Sequence, residues 1–154
     1  MHVVEDRNCA DAKLRELVDN YQAVVVHSFN DPFVIAGQGT VMVEFVDQVA
    51  DLDIVLAPVG GGGLLSGLCL AAHALRPRMA IFACEPASAL DAMDSVEQNR
   101  IVPMPNPNTI ADGLRTSLGE LTLPILRRHV TGFFVVEEEK LYRPCNSPMS
   151  NSSL

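Results

Sequence analysis

The sequence predicts an α/β fold: an open, mostly parallel sheet with helices on both faces. Three observations predict it. Short apolar, β-branched runs alternate with stretches of helical periodicity along most of the chain. A run of four glycines, Gly60-Gly61-Gly62-Gly63, joins one such run to a helical stretch. The chain has 154 residues, 48% of them apolar, which is the size of one ordinary domain with enough apolar residues for a core.

The elements follow in order. Residues 9–20 read as a short amphipathic helix with Leu14, Leu17 and Val18 at helical spacing. The β-branched run 23–29 reads as a buried strand, broken by Asn30-Asp31-Pro32. A helix over 40–49 turns Val43, Val46 and Val49 inward, with Gly37-Gln38-Gly39 as its approach and Thr40 as N-cap. Strand 54–59, the glycine turn and helix 64–75 come next, and Arg76-Pro77-Arg78 ends that helix. A strand over 79–84, a helix over 88–98, a proline-rich loop over 102–108, a helix over 121–129 and a strand over 132–136 complete the pattern. From Leu141 the periodicity stops and disorder is expected.

Charge and composition exclude several functions. The net charge of −8 offers no basic patch for nucleic acid or an anionic membrane. No stretch approaches the ~20 apolar residues of a membrane helix. The start, Met1-His2-Val3-Val4-Glu5-Asp6, has no basic or apolar leader region, so a cytoplasmic protein is expected. Cys9, Cys69, Cys84 and Cys145 have no metal-ligand spacing and read as buried, reduced thiols. His27, His73 and His129 read as packing histidines rather than bases.

The glycine run carries the chemistry. Four glycines at a strand-to-helix junction remove every Cβ from the turn, so backbone N–H groups can approach a ligand where the helix N-terminus adds partial positive charge. A P-loop is excluded, since no lysine follows. A dinucleotide turn is mimicked by Gly61-x-Gly63-x-x-Ser66 with Glu85 ending the next strand. A ligand-free turn does not call for four glycines, each of which costs backbone entropy on ordering.

The ordered set Pro32-x-x-Ile35-Ala36-Gly37-Gln38-Gly39-Thr40, Pro58-Val59-Gly60-Gly61-Gly62-Gly63-Leu64-x-x-Gly67, Glu85-Pro86 and Thr109-Ile110-Ala111-Asp112-Gly113 resembles the threonine/serine dehydratase and serine racemase family. The resemblance runs from about His27 to Glu139. It implies a pyridoxal-phosphate enzyme of the tryptophan-synthase-β-like fold, acting on serine or threonine, in a family that forms dimers. It implies that Gly60, Gly61, Gly62, Gly63 and Leu64 hold the cofactor phosphate. It also implies a divalent cation, Mg²⁺ or Ca²⁺, on the Glu85 carboxylate, the Ala89 carbonyl and the Asp91 carboxylate; the rival reading is two solvated carboxylates at a helix start. The loop 109–113 lies near the cofactor ring in the family, while Asp112 reads equally as a cap.

The family holds its cofactor on a lysine in a Ser-x-Lys-x-Arg-Gly setting. This chain has Lys13 and Lys140, and neither stands in such a setting, so the resemblance assigns it no catalytic residue. The expected organisation is residues 1–30 as the end of a small domain, 31–140 as the front of the large cofactor domain, and a tail over 141–154. As a central fragment the chain is expected to expose apolar sheet surface and to be inactive alone. The alternatives are a non-catalytic product that pairs with or regulates a full-length subunit, and a dinucleotide-binding module.

Overall fold

The structure, a computed structural model, describes residues 10–104 and 107–142. Cys9, Cys145 and the predicted tail beyond Tyr142 lie outside them. Three strands, β1 (Ile54–Pro58), β2 (Ala80–Pro86) and β3 (Gly132–Val136), form one open parallel sheet in the order β1-β2-β3. Ile54 pairs with Ala80 and Phe82 with Gly132. The helices are α1 (Ala10–Tyr21), α2 (Pro32–Gln38), α3 (Thr40–Gln48), α4 (Gly63–Leu75), α5 (Asp91–Gln98), α6 (Thr122–His129) and the short α7 (Glu138–Leu141), with a single 3₁₀ turn over Asp112–Leu114.

Helix α4 returns the chain from β1 to β2, and α5 and α6 return it from β2 to β3. Both crossovers advance in the same direction across the sheet, so right-handed connections place these helices on the same face. Alternation along the strands agrees. Val55, Ala57, Ile81 and Ala83 are buried with Met42 of α3, Leu65, Leu68, Cys69 and Ala72 of α4, Ala92 of α5 and Leu126 of α6. Burying a side chain such as Leu65 or Leu126 contributes about 1.5–3 kcal/mol.

The opposite face has no helix against it among the described residues. Ile54, Leu56 and Phe134 are 53%, 55% and 48% exposed there, and the Phe82 and Phe134 rings pack at 5.1 Å. The open parallel sheet is as expected, and the described helices cover one of its faces rather than both.

Two local readings change. Asn30-Asp31-Pro32 starts a helix instead of only ending a strand: Asp31 Oδ1 accepts the Phe33 and Val34 amides at 2.8 and 3.0 Å, and Pro32 takes the first helical position, where no N–H is needed. Thr40 is the first residue of α3 rather than its cap; Gly39 stays in helical geometry between α2 and α3, and Thr40 Oγ1 donates to the Gly37 carbonyl at 2.8 Å.

The run 23–29 forms no strand and residues 23–28 are exposed. The run pairs with neither edge of the three-strand sheet, and a β-branched run without a neighbour has no ladder to join. Leu141 and Tyr142, assigned to the tail, end and follow α7.

Candidate functional site

Strand β1 delivers the glycine loop to the carboxyl edge of the sheet, where open α/β sheets place ligands. The Val59 amide donates to the Cys84 carbonyl at 3.1 Å, the last tie to β2. Gly62 then turns left-handed, at φ +86°, and α4 begins at Gly63. Each glycine is packed so that a side chain has no room. A Cβ on Gly61 would sit 2.4 Å from the Phe29 ring, one on Gly63 2.8 Å from Phe29 Cβ, one on Gly62 2.9 Å from Thr122, and one on Gly60 2.8 Å from the Gly113 carbonyl.

Thr122, fully buried at the start of α6, holds the loop from below. Its Oγ1 donates to the Gly61 carbonyl at 2.8 Å and accepts the Gly119 amide at 2.9 Å. With the Gly61 carbonyl turned to Thr122, the amides of residues 60–65 have no carbonyl acceptor among the described residues. They belong to the loop and the first turn of a 13-residue helix, where unpaired N–H groups and the macrodipole favour an anion. A cavity of ≈ 330 Å³ opens beside them, lined also by Ser28, Phe29, Gln38, Leu114 and Thr116. The residues fit a phosphate group: the amides are unpaired at a helix N-terminus, and the glycines that carry most of them put no side chain beside the backbone.

Ser28 and Phe29 form one wall of this cavity, and the sequence offered no sign of it beyond a turn. His27 Nδ1 accepts the Asn30 amide at 2.9 Å and the Phe29 amide at 3.3 Å, and its ring meets Phe29 edge-on at 4.5 Å. Asn30 Oδ1 accepts the Leu121 amide at 2.9 Å, tying the wall to α6. Gly113 and Leu114, from the predicted loop 109–113 and the residue after it, reach the opposite wall. Asp112 opens the 3₁₀ turn, with Arg115 3.8 Å from its carboxylate. Lys13 pairs with Glu16 on the exposed side of α1, and Lys140 is exposed in α7; neither lines the cavity.

Glu85 and Asp91, expected at a helix start, lie there, but buried rather than solvated, each 2% exposed. Glu85 reaches from the end of β2 to accept the Ala92 amide on Oε1 and the Met93 amide on Oε2, both at 2.9 Å, and so caps α5 in place of Leu90. Burial pushes its pKa up to about 7, with the negative charge of Asp91 and Asp94 adding to the rise against those two hydrogen bonds. Burial likewise raises Asp91 to about 6, and its Oδ2 has no hydrogen-bond partner. Ala89 is buried between them, its amide on the Pro86 carbonyl. Among the described residues no cluster of three or more His, Cys, Asp or Glu side chains surrounds a common point. Glu85, turned inward on α5, is also not the exposed carboxylate that a dinucleotide ribose needs.

Cys69 and Cys84 are free, and burial pushes the Cys69 thiol up to about 12, so it is inert. His73 and His129, unrelated in the sequence, meet with ring centroids 4.9 Å apart.

The fold and site together define an open parallel α/β domain with a glycine cradle at its carboxyl edge. Residues 1–147 match the pyridoxal-phosphate dependent enzyme family, and the chain belongs to that family. It is 41% identical over 133 residues to a serine racemase of Dictyostelium discoideum, covering 85% of this chain and 41% of that protein. The solved structure of a threonine deaminase from T.th. superposes with a TM-score of 0.86 at 43% identity, over 92% of this chain and 48% of that one. Maize serine racemase superposes at 0.84 with 39% identity, over 87% and 42%. The chain thus spans less than half the length of these relatives. None of the described helices is long and apolar enough to cross a membrane.

Proposed function

We propose that this chain carries the phosphate-holding part of the cofactor site of a serine or threonine ammonia-lyase or serine racemase. The observation that carries the reading is the loop 60–64: amides without acceptors at a helix N-terminus, packed so that no side chain fits. Gly60, Gly61, Gly62, Gly63 and Leu64 bind the cofactor phosphate through backbone N–H groups. Pyridoxal phosphate, when bound, supplies an electron sink for the substrate Cα. The chain's own part is to fix the phosphate, to set Phe29 and Leu114 as walls, and to keep the loop rigid through Thr122. Serine and threonine as substrates follow from the names of the relatives, serine racemase and threonine deaminase.

Residues 1–30 belong, in this reading, to a small domain and 31–140 to the large one. Neither lysine reaches the cavity, so the chain alone binds the cofactor without turnover. Glu85, the Ala89 carbonyl and Asp91 hold Mg²⁺ or Ca²⁺; the buried, unpartnered Asp91 Oδ2 supports that assignment. A second reading, pairing with a second or longer subunit in the cytoplasm, is favoured by the uncovered sheet face at Leu56 and Phe134.

Equilibrium dialysis tests the cradle. Pyridoxal phosphate is expected to bind saturably, in competition with inorganic phosphate and well ahead of pyridoxal, and Gly62→Ala to weaken it by roughly tenfold or more, since the new residue is both strained at positive φ and crowded. Equal affinity for pyridoxal, or saturable NAD binding in its place, overturns the proposal.

A further inference from the structure

We infer that the pocket between the C-terminal ends of α4 and α6 is a separate anion site, which takes the phosphoryl group of a small phosphate-class ligand. It is a cavity of ≈ 280 Å³ lined by His73 and Arg76 from the end of α4, Arg128 and His129 from the end of α6, and Thr131 before β3. Ile81, in the first half of β2, forms part of its floor, so it lies at the amino edge of the sheet, away from the glycine loop that follows β1.

Four side chains that carry or accept positive charge converge here from two helices, and no lining residue is acidic, in a chain whose net charge is −8. Basic residues in a last helical turn have an ordinary explanation, since the macrodipole favours them. Arg76 illustrates it, donating from Nη1 to the Leu75 carbonyl at 3.0 Å. That explanation works one helix at a time. It gives no reason for the two imidazoles to meet at 4.9 Å with Arg128 beside them. The guanidinium groups of Arg76 and Arg128 carry like charge, and a dianion seated between them is attracted to both.

The groups facing His129 are His73, Arg76 and Cys69 from α4 and Arg128 on its own helix; the sheet side presents Met79, Ile81 and Thr131. Burial, then His73 and Arg128, holds the His129 pKa below its ordinary value. An arriving phosphate meets two guanidinium groups suited to bidentate hydrogen bonds and draws protons onto the imidazoles. Cys69, Ala72, Met79 and Ile81 form the floor beneath these groups. A transition metal on the two histidines is the weaker occupant: no third ligating side chain joins them among the described residues, and both arginines repel a cation.

Histidine-ring NMR on the whole chain tests this, with the signals assigned through His73→Gln and His129→Gln. Inorganic phosphate is expected to shift the His73 and His129 rings saturably and to raise the titration midpoint of His129. Glycerol phosphate, run in parallel, separates a monoester from the free ion, and saturable binding of either supports the site. Arg76→Gln with Arg128→Gln, both at exposed positions, is expected to weaken binding by roughly tenfold or more while far-UV circular dichroism stays unchanged. Ring signals that ignore both phosphates, that shift as strongly in the double variant, or that respond to Zn²⁺ but not to phosphate overturn the proposal. The ring signals are local to this pocket, so their behaviour is independent of whether the amides of Gly60 to Gly63 bind pyridoxal phosphate.

Discussion

Thr122 is the residue on which the cradle rests. Its hydroxyl is both donor to the Gly61 carbonyl and acceptor for the Gly119 amide, in a fully buried position. Thr122→Val keeps the shape and leaves both groups unpaired, so a loss of about 1–3 kcal/mol in urea denaturation is expected, with weaker phosphate binding. Thr122→Ser restores the hydroxyl and is expected to recover most of both. Equal stability of the Val variant and the parent would remove this role.

Glu85 and Asp91 make a second residue-scale prediction. Both are raised in the folded protein, from 4.5 to about 7 and from 3.8 to about 6. The folded state therefore binds protons more readily than the unfolded chain across this range. Their contribution to stability is fully present below about pH 4 and is lost as pH rises through 6 to 7. Mg²⁺ or Ca²⁺ bound there favours the ionised forms, releases protons and is expected to raise Tm saturably above pH 7. Glu85→Gln with Asp91→Asn is expected to flatten the pH dependence and abolish the cation response. A Tm indifferent to both ions in the parent protein counts against the cation site.

At the scale of elements, α4 packs backbone to backbone against the junction of α2 and α3. A Cβ on Gly67 would lie 2.5 Å from the Gly39 nitrogen and the Ile35 carbonyl oxygen, both backbone atoms. Backbone cannot step aside as a flexible side chain does. Gly67→Ala is therefore expected to push α2 off α4 and to cost roughly 1–3 kcal/mol or more, read by thermal denaturation. Gly37→Ala, whose Cβ meets nothing within 4 Å, is the matched control and is expected to be near neutral or stabilising.

At the scale of the whole molecule, the sheet face left without helices among the described residues is the place where self-association is expected. Ile54, Leu56 and Phe134 form an exposed apolar surface on the side away from the core. Leu56→Glu with Phe134→Ser is expected to reduce concentration-dependent association in sedimentation velocity and to lower dye binding to exposed apolar surface, with little change in Tm. Association unchanged by this pair would place any self-contact elsewhere.

The parts of the molecule set by local chemistry were legible in the amino-acid order. Apolar runs at 54–59 and 132–136, leucine and alanine periodicity over 64–75 and the glycine turn specify β1, β3, α4 and the loop that joins β1 to α4, since strand, helix and turn preferences act over a few neighbours. The ordered motifs likewise carried the family, which residues 1–147 match. What only the tertiary structure decided depends on distant residues meeting. The run at 23–29 has the composition of a strand, yet a strand exists only where a neighbour accepts its hydrogen bonds. Asn30 and Leu121, Thr122 and Gly61, and His73 and His129 are each far apart in sequence, and no local pattern announces them. Whether Glu85 faces water or a buried helix end, and which face of the sheet the helices cover, follow from chain crossover and packing, and these are properties of the folded whole.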